Sequence, residues 1–175
     1  GSVRVMLAIA LVSSANYSMV IPTSYQYVTK IGGDTSTQGK VLGAYSLARL
    51  VLFLPVGAWA DARPMREVLT CCMILLVIGN VIYALALPAS DYYGKGYART
   101  ILFVSRLVVG AGATSAAVTT SYIALTVSSA KRGKALAMQN AMTLLGILLG
   151  PAFMSLLDLM DDLVPKSLWY QKVNG

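Results

Sequence analysis

The sequence predicts an all-α, polytopic membrane protein with five transmembrane helices. Hydrophobic residues make up 57% of the chain and charged residues 12%, whereas about a quarter of a soluble domain is charged. The mean hydropathy is +0.67. Long apolar runs alternate with short segments that hold most of the charged residues, which is typical of helices that cross a membrane repeatedly.

Each apolar run is long enough to cross a bilayer, which needs about 20 residues. The predicted spans are residues 3–27, 38–60, 68–87, 99–127 and 135–157. The sequence predicts that the third span ends at Pro88, that residues 90–98 form a loop, and that residues 131–134 connect the last two spans. Tight basic turns at residues 61–67 and 131–134 favour the cytosolic side for those turns. Residues 167–170 predict the start of a further segment.

Composition also excludes several function classes. The net charge is +7, but the 14 basic residues are spread over several loops and form no basic patch, so we expect no nucleic-acid partner. Histidine is absent and the two cysteines, Cys71 and Cys72, are neighbours, so we expect no metal site. No nucleophile, base and orienting group occur together, so we expect neither an enzyme nor a bound cofactor.

Arg49 lies about halfway along the second predicted span. A charge at this depth costs at least about 2.5 kcal/mol and usually faces a bundle interior or a wet cavity. Tyr45 precedes it by one turn on the same helix face. Two interpretations remain open: an arginine bound to helix carbonyls or to an acid elsewhere, and an arginine that attracts a solute. Because no carboxylate lies within the five spans, the sequence favours a role in handling anions.

Other polar side chains fall within the spans. Ser13, Asn16 and Tyr17 form a stripe on the first helix, Arg106 lies on the fourth, and Gln139 lies on the fifth. In hydrocarbon such groups must face protein or water, so they either join helices or line a solute cavity. The third span is the most uniformly apolar and is expected to lie outside any pathway.

Glycines in the spans predict close helix contacts. They are Gly39, Gly43, Gly110, Gly112, Gly146 and Gly150. Pro151 directly follows the last of them and removes a backbone donor, so it can bend the helix there.

Three short patterns, in order along the chain, resemble motifs of the major facilitator superfamily. Gly57-x-x-x-Asp61, followed by Arg66, resembles the loop between the second and third helices. Arg106-x-x-x-Gly110-x-Gly112 resembles the fourth-helix motif, and Gly146-x-x-x-Gly150-Pro151 resembles the fifth-helix motif associated with antiporters. One departure is Ala62, where the family usually has a basic residue. Residues 2–6, 44–47 and 63–67, together with Gly150-Pro151, further resemble the branch of lysosomal major-facilitator domain proteins and vacuolar phosphate transporters with SPX domains.

The resemblance implies a partial N-terminal half of a transporter, comprising five of the six helices of that half, whose partner is a C-terminal half of the same protein. In this family the first, second, fourth and fifth helices border a central cavity and two halves rock around it. The residues then expected to line the pathway are Asn16, Tyr45, Arg49, Arg106 and Gln139. Gly57, Asp61, Arg63 and Arg66 would form a gating loop on the cytosolic side, and Gly110, Gly112, Gly146, Gly150 and Pro151 would provide packing and a hinge.

The function expected from these observations is secondary active transport of a small, anionic solute in a lipid membrane, by resemblance a lysosomal or vacuolar one. Two alternatives remain open. The same fold could form an anion channel, in which Arg49 lowers the barrier without alternating access. The chain could instead be a membrane subunit with a structural role.

Overall fold

The computed structural model describes residues 2–163, and they form six α-helices. The helices are α1 (Ser2–Lys30), α2 (Thr35–Ala62), α3 (Met65–Tyr93), α4 (Lys95–Gly112), α5 (Ser115–Thr126) and α6 (Ser129–Leu163). Five helical segments are long and apolar enough to cross a membrane, because α4 and α5 together make one span, Lys95–Thr126. The predicted all-α, five-span membrane fold is confirmed. The segment predicted at residues 167–170 lies outside the described residues.

The connections between helices are shorter than the sequence predicts. α3 continues through Pro88 to Tyr93, and Gly94, with φ +89°, is the one residue between α3 and α4. The predictions that the helix ends at Pro88 and that residues 90–98 form a loop are therefore wrong. A proline is tolerated inside a membrane helix when neighbouring groups satisfy the backbone that it frees. Residues 131–134 likewise lie in the first turns of α6, not in a connection.

A tightened turn divides the fourth span. The amide of Thr114 donates to the carbonyl of Ala111, and the amide of Ala117 donates to the carbonyl of Thr114 at 3.0 Å. These bonds bridge three residues instead of four, as in a 3₁₀ turn. The candidate span Lys95–Thr126 therefore contains a 3₁₀-type turn between α4 and α5.

The helices pack in two pairs, with α3 against α4 and α1 against α6, and α2 lies on α4. Buried apolar residues form three clusters. One, near the α1–α2 turn, includes Val28, Ile31 and Leu102; one, at the other end, includes Val68, Cys72 and Ile123; the third, between them, includes Tyr45, Leu76 and Val109. This packing leaves faces of α1, α2 and α6 around the cavities described next.

Candidate functional site

Arg49 lies on an exposed face of α2, close to the middle of the helix. It lines a cavity of about 370 Å³ that is open on one side of the bundle. The lining residues are Tyr17, Tyr45, Ser46, Arg49, Leu50 and Phe53. Arg49 is the one charged residue among them, so a cation stands at the wall of a space that is otherwise mostly apolar and aromatic.

A second cavity, of about 180 Å³, adjoins the first because Tyr17, Tyr45 and Arg49 line both. Its remaining lining residues come from α1, from the turn between α4 and α5, from the start of α5, and from α6: Ile9, Ala10, Ser13, Ser14, Ala113, Ala116, Gln139, Thr143 and Ile147. Residues of four spans line the two cavities together, and Arg49 lines both. Among the side chains that the structure describes, no carboxylate lines either cavity.

Tyr17 and Tyr45 form the boundary between the two cavities. Their rings are stacked, with centroids 4.8 Å apart and an angle of 28° between the ring planes. Tyr45 is almost completely buried, and Tyr17 is 39% exposed. The stack holds two phenol groups beside Arg49, one from α1 and one from α2.

Gln139 forms part of the wall contributed by α6. It is 5% exposed, and its Nε2 atom donates to Thr119 Oγ1 and to Thr120 Oγ1, both at 3.0 Å. These two bonds join α6 to α5 and fix the orientation of the amide. Gln139 is therefore both a lining residue and a connection between spans.

Two residues that are expected in the pathway line neither of these two cavities. Asn16 is half-buried on α1 but lines neither cavity. Arg106 is 2% exposed and also lines neither cavity; its guanidinium lies over the ring of Tyr83 on α3. The Nε and Nη2 atoms of Arg106 have no hydrogen-bond partner among residues 2–163.

The charged residues of the expected gating loop are exposed, and the loop divides between two surfaces. Gly57 and Asp61, in the last turns of α2, line a cavity of about 120 Å³ together with residues of α5. Arg63 is the C-cap residue that directly follows α2, and its amide donates to the carbonyl of Trp59 at 3.0 Å. Arg66 lies in the first turn of α3, where it lines a separate groove, mostly apolar, between α1 and α3.

The glycines of the expected packing motifs lie where helix backbones meet. A Cβ atom at Gly110 would meet the Tyr45 carbonyl on α2, and one at Gly112 would lie 2.6 Å from the Cys72 carbonyl on α3. Gly146 and Gly150 lie against Ser14 and Ser18 of α1. In contrast, nothing among the described residues lies within 4 Å of a Cβ atom at Gly39 or Gly43, so no described helix makes the close contact predicted at those two positions.

Sequence reasoning missed two groups of residues. Phe53, Ala113 and Ala116 line the cavities, but apolar side chains in an apolar span carry no signal that distinguishes cavity from lipid. Tyr83 was missed as the contact of Arg106, although a tyrosine in the most apolar span is a signal that could have indicated a buried polar or charged neighbour. Within residues 2–163 no cluster of three or more His, Cys, Asp or Glu side chains could hold a metal ion.

Comparison with known proteins identifies the family. The model of the Major Facilitator Superfamily matches residues 6–160. The chain belongs to the Major Facilitator Superfamily. As a member of that superfamily with five candidate spans, it is a multi-pass integral membrane protein.

The relatives agree with the branch that the sequence resembles. The chain is 33% identical over 164 residues to Major facilitator superfamily domain-containing protein 8 of Xenopus laevis, and the match covers 92% of this chain and 31% of that protein. It is 30% identical over 151 residues to an SPX domain-containing membrane protein of Oryza sativa subsp. indica, covering 86% of this chain and 20% of that protein. A similar protein of Arabidopsis thaliana is 31% identical over 144 residues, covering 82% and 19% of the two chains. The major-facilitator chain thus spans about a fifth to a third of the length of these relatives. No solved structure matches it significantly.

Proposed function

We propose that this chain forms five of the six helices of the N-terminal half of a secondary active transporter that moves a small anionic solute across a membrane by alternating access. The family supports a membrane transporter, and inverted halves that rock around a central site are the general plan of such proteins. The second half of the same transporter is then the partner that closes the open side of the cavities. On the resemblance to its branch, we place the transporter in a lysosomal or vacuolar membrane.

One observation supports an anionic solute: Arg49 lines both cavities, and no carboxylate among the described side chains lines either of them. A lone cation in a space with apolar walls attracts anions and repels cations, because the low dielectric strengthens its field. A charged side chain inside a membrane bundle costs free energy, and such residues usually have a function. The hydroxyl of Tyr45, which lines the same space, would orient the solute by donating a hydrogen bond. Gln139 would shape the α6 wall of the pathway, because its amide hydrogens are bonded to Thr119 and Thr120.

The size of the cavities favours a small solute. At about 30 Å³ for each water molecule, the larger cavity, of about 370 Å³, holds roughly a dozen water molecules. The second half would contribute further walls, so the final site depends on both halves. This volume lies at the lower end of the range of about 300–1,000 Å³ for small-molecule pockets, which suits an inorganic anion or a small carboxylate.

The gating loop after α2 and the glycine-proline motif on α6 would control access to the cavities. In the proposed cycle Asp61, Arg63 and Arg66 form polar contacts that hold the cytosolic side in one conformation, with Gly57 permitting close approach. The stretch from Gly146 to Pro151 would act as a packing hinge on α6. By resemblance to the antiporter motif, we propose exchange of the solute against a second ion.

The test is uptake of radiolabelled inorganic phosphate, chloride or lactate by liposomes that contain the full-length transporter. Arg49→Ala is expected to reduce uptake of the accepted anion more than about tenfold, since a charge interaction in a low-dielectric site is lost. Arg49→Lys should retain part of the uptake, because it keeps the charge but lacks the planar fork of donors. Arg132→Ala, which removes an exposed cation on α6, is the control.

Three results would contradict the proposal. Unchanged uptake in a folded Arg49→Ala variant would remove Arg49 from the pathway. Flux that does not saturate, and that is not accelerated by the same anion on the far side, would indicate the anion channel. A full-length protein with no flux of any anion would indicate the structural subunit.

A further inference from the structure

Pro151 leaves one carbonyl of α6 without its usual donor. In an α-helix the amide of each residue donates to the carbonyl four residues earlier. Proline has no amide hydrogen, so the carbonyl of Ile147 receives no bond from residue 151. The hydrocarbon of a membrane holds no bulk water to replace the missing donor, so such a carbonyl is satisfied by neighbouring helices, by Ser or Thr side chains or by ordered water.

Ser18 on α1 supplies the donor. Its Oγ atom lies 2.7 Å from the carbonyl oxygen of Ile147, across the interface between α1 and α6. Ser18 is 2% exposed. A serine in a helix usually donates to a carbonyl three or four residues earlier in its own helix, as Ser14 does to Ala10 and Leu11. Ser18 is different, because its hydroxyl binds another helix at the position that proline leaves open.

Gly150 makes this bond possible. A Cβ atom at position 150 would collide with the Ser18 side chain and would lie 2.9 Å from the amide nitrogen of Met19. With glycine there, the two backbones approach closely enough for a short serine side chain to reach across. The glycine, the proline and the serine therefore form one arrangement, of which the first two lie on α6 and the third on α1.

The arrangement lies at the wall of the cavity of about 180 Å³ that adjoins Arg49. Ile147 lines that cavity, and Tyr17, the neighbour of Ser18, lines both cavities. We infer that Ser18 is a positioning residue: by donating to the carbonyl that Pro151 releases, it holds the α1 wall of the cavity, with Tyr17, at a fixed position against the α6 wall. Its effect on solute binding rests on the proposed function, but the bond itself does not.

A double-mutant cycle tests the bond. Ser18→Ala, Pro151→Ala and the double variant are made in the full-length protein, and their apparent melting temperatures are measured after purification in detergent. Ser18→Ala is expected to lower the melting temperature by several degrees, because a buried carbonyl loses its donor. Pro151→Ala restores an amide hydrogen that can donate to Ile147, so Ser18→Ala should cost little in that background.

The control is Ser105→Ala. Ser105 is also fully buried, but its hydroxyl donates to Leu102 within its own helix at 2.7 Å, where an amide donor is already available. It should lower the melting temperature less than Ser18→Ala. Equal losses from Ser18→Ala in the wild-type and Pro151→Ala backgrounds would overturn the inference, as would a Ser18→Ala protein that fails to fold and is not restored by Pro151→Ala.

Uptake by liposomes tests the consequence for the site. Ser18→Ala is expected to raise the KM of the accepted anion severalfold with a smaller change in kcat, and Ser18→Thr, which keeps the hydroxyl, should restore the KM. A KM unchanged in Ser18→Ala would overturn the positioning role. If the wild-type protein transports no anion, the proposed function fails, while the melting cycle still decides whether Ser18 satisfies the Ile147 carbonyl.

Discussion

The guanidinium carbon of Arg106 lies 4.0 Å from the centre of the Tyr83 ring. Tyr83 in turn stacks on Tyr27, with ring centroids 4.7 Å apart and an angle of 15° between the planes. The three side chains connect α4, α3 and α1. A buried charge is costly unless it is compensated, and here an aromatic face provides compensation through its quadrupole.

Removal of the Tyr83 ring should therefore destabilise the protein. Tyr83→Leu is expected to lower the free energy of unfolding by about 2 kcal/mol, the size of a cation–π contact that is shielded from water. Tyr83→Phe keeps the aromatic face and should cost less. Thermal unfolding of the purified full-length protein is the measurement, with Tyr92→Leu as the control, because Tyr92 on the same helix is 86% exposed. Equal losses from Phe and Leu at position 83 would show that the ring does not compensate the charge.

A methyl group at Gly110 should force α2 and α4 apart. The added Cβ atom would collide with the carbonyl oxygen of Tyr45 and lie 3.0 Å from the Cβ atom of Ala48. A helix backbone cannot move aside as a flexible side chain can, so Gly110→Ala is expected to cost about 1–3 kcal/mol. The measurement is thermal unfolding together with anion uptake, since Tyr45 lines both cavities.

Gly43→Ala is the matched control for this substitution. Within the part of the chain that the structure describes, nothing lies within 4 Å of a Cβ atom at Gly43, and alanine is favoured over glycine inside a helix by about 1 kcal/mol. We therefore expect Gly43→Ala to be neutral or stabilising. A Gly110→Ala protein as stable as Gly43→Ala would contradict the close contact between α2 and α4.

Asp34 should make the stability of the N-terminal end of α2 depend on pH. Its Oδ1 atom accepts hydrogen bonds from the Thr37 hydroxyl at 2.7 Å and from the Thr37 amide at 2.9 Å. These bonds hold the pKa of the Asp34 carboxyl below its ordinary value. A lowered pKa means that the stabilisation is complete above the pKa of the unfolded chain and is lost as the pH falls through the folded pKa.

Asp34→Ala is accordingly expected to lower the melting temperature at neutral pH, because an N-cap is lost. The difference from wild type should shrink as the pH falls below the ordinary range of an aspartate. Asp34→Asn keeps an acceptor oxygen but cannot titrate, so the pH-dependent part should be absent from it. A melting-temperature difference between wild type and Asp34→Ala that stays constant down to acidic pH would contradict the role of the carboxylate.

The existence and number of the spans were predictable, and the helix ends were not. Apolar runs determine where a chain can cross a membrane, but α3 extends through Pro88 to Tyr93 because helices can continue into the interface beyond the hydrocarbon. For the same reason the predicted loop at residues 90–98 reduces to Gly94. Hydropathy describes the bilayer, not the caps that end a helix.

Local spacing identified candidates for the site but not their partners. Arg49 and Tyr45 are one turn apart, so their common face follows from helix periodicity, and the structure places both at the cavities; their role stays a prediction. The contact of Arg106 with Tyr83 joins different helices and depends on how they pack. Asn16 shows the same limit, since a polar residue on the right helix can still lie away from the cavities.

The short connection at Gly94 also orders the assembly of the fold during synthesis on the ribosome. α3 and α4 are joined by this one residue and pack extensively on each other, so they can pair as a hairpin as soon as both are synthesised. The hydrogen-bond partner of Ser18, Ile147, is synthesised 129 residues later. Although α1 is made before the other described helices, its bond from Ser18 to Ile147 forms only after α6 has been synthesised.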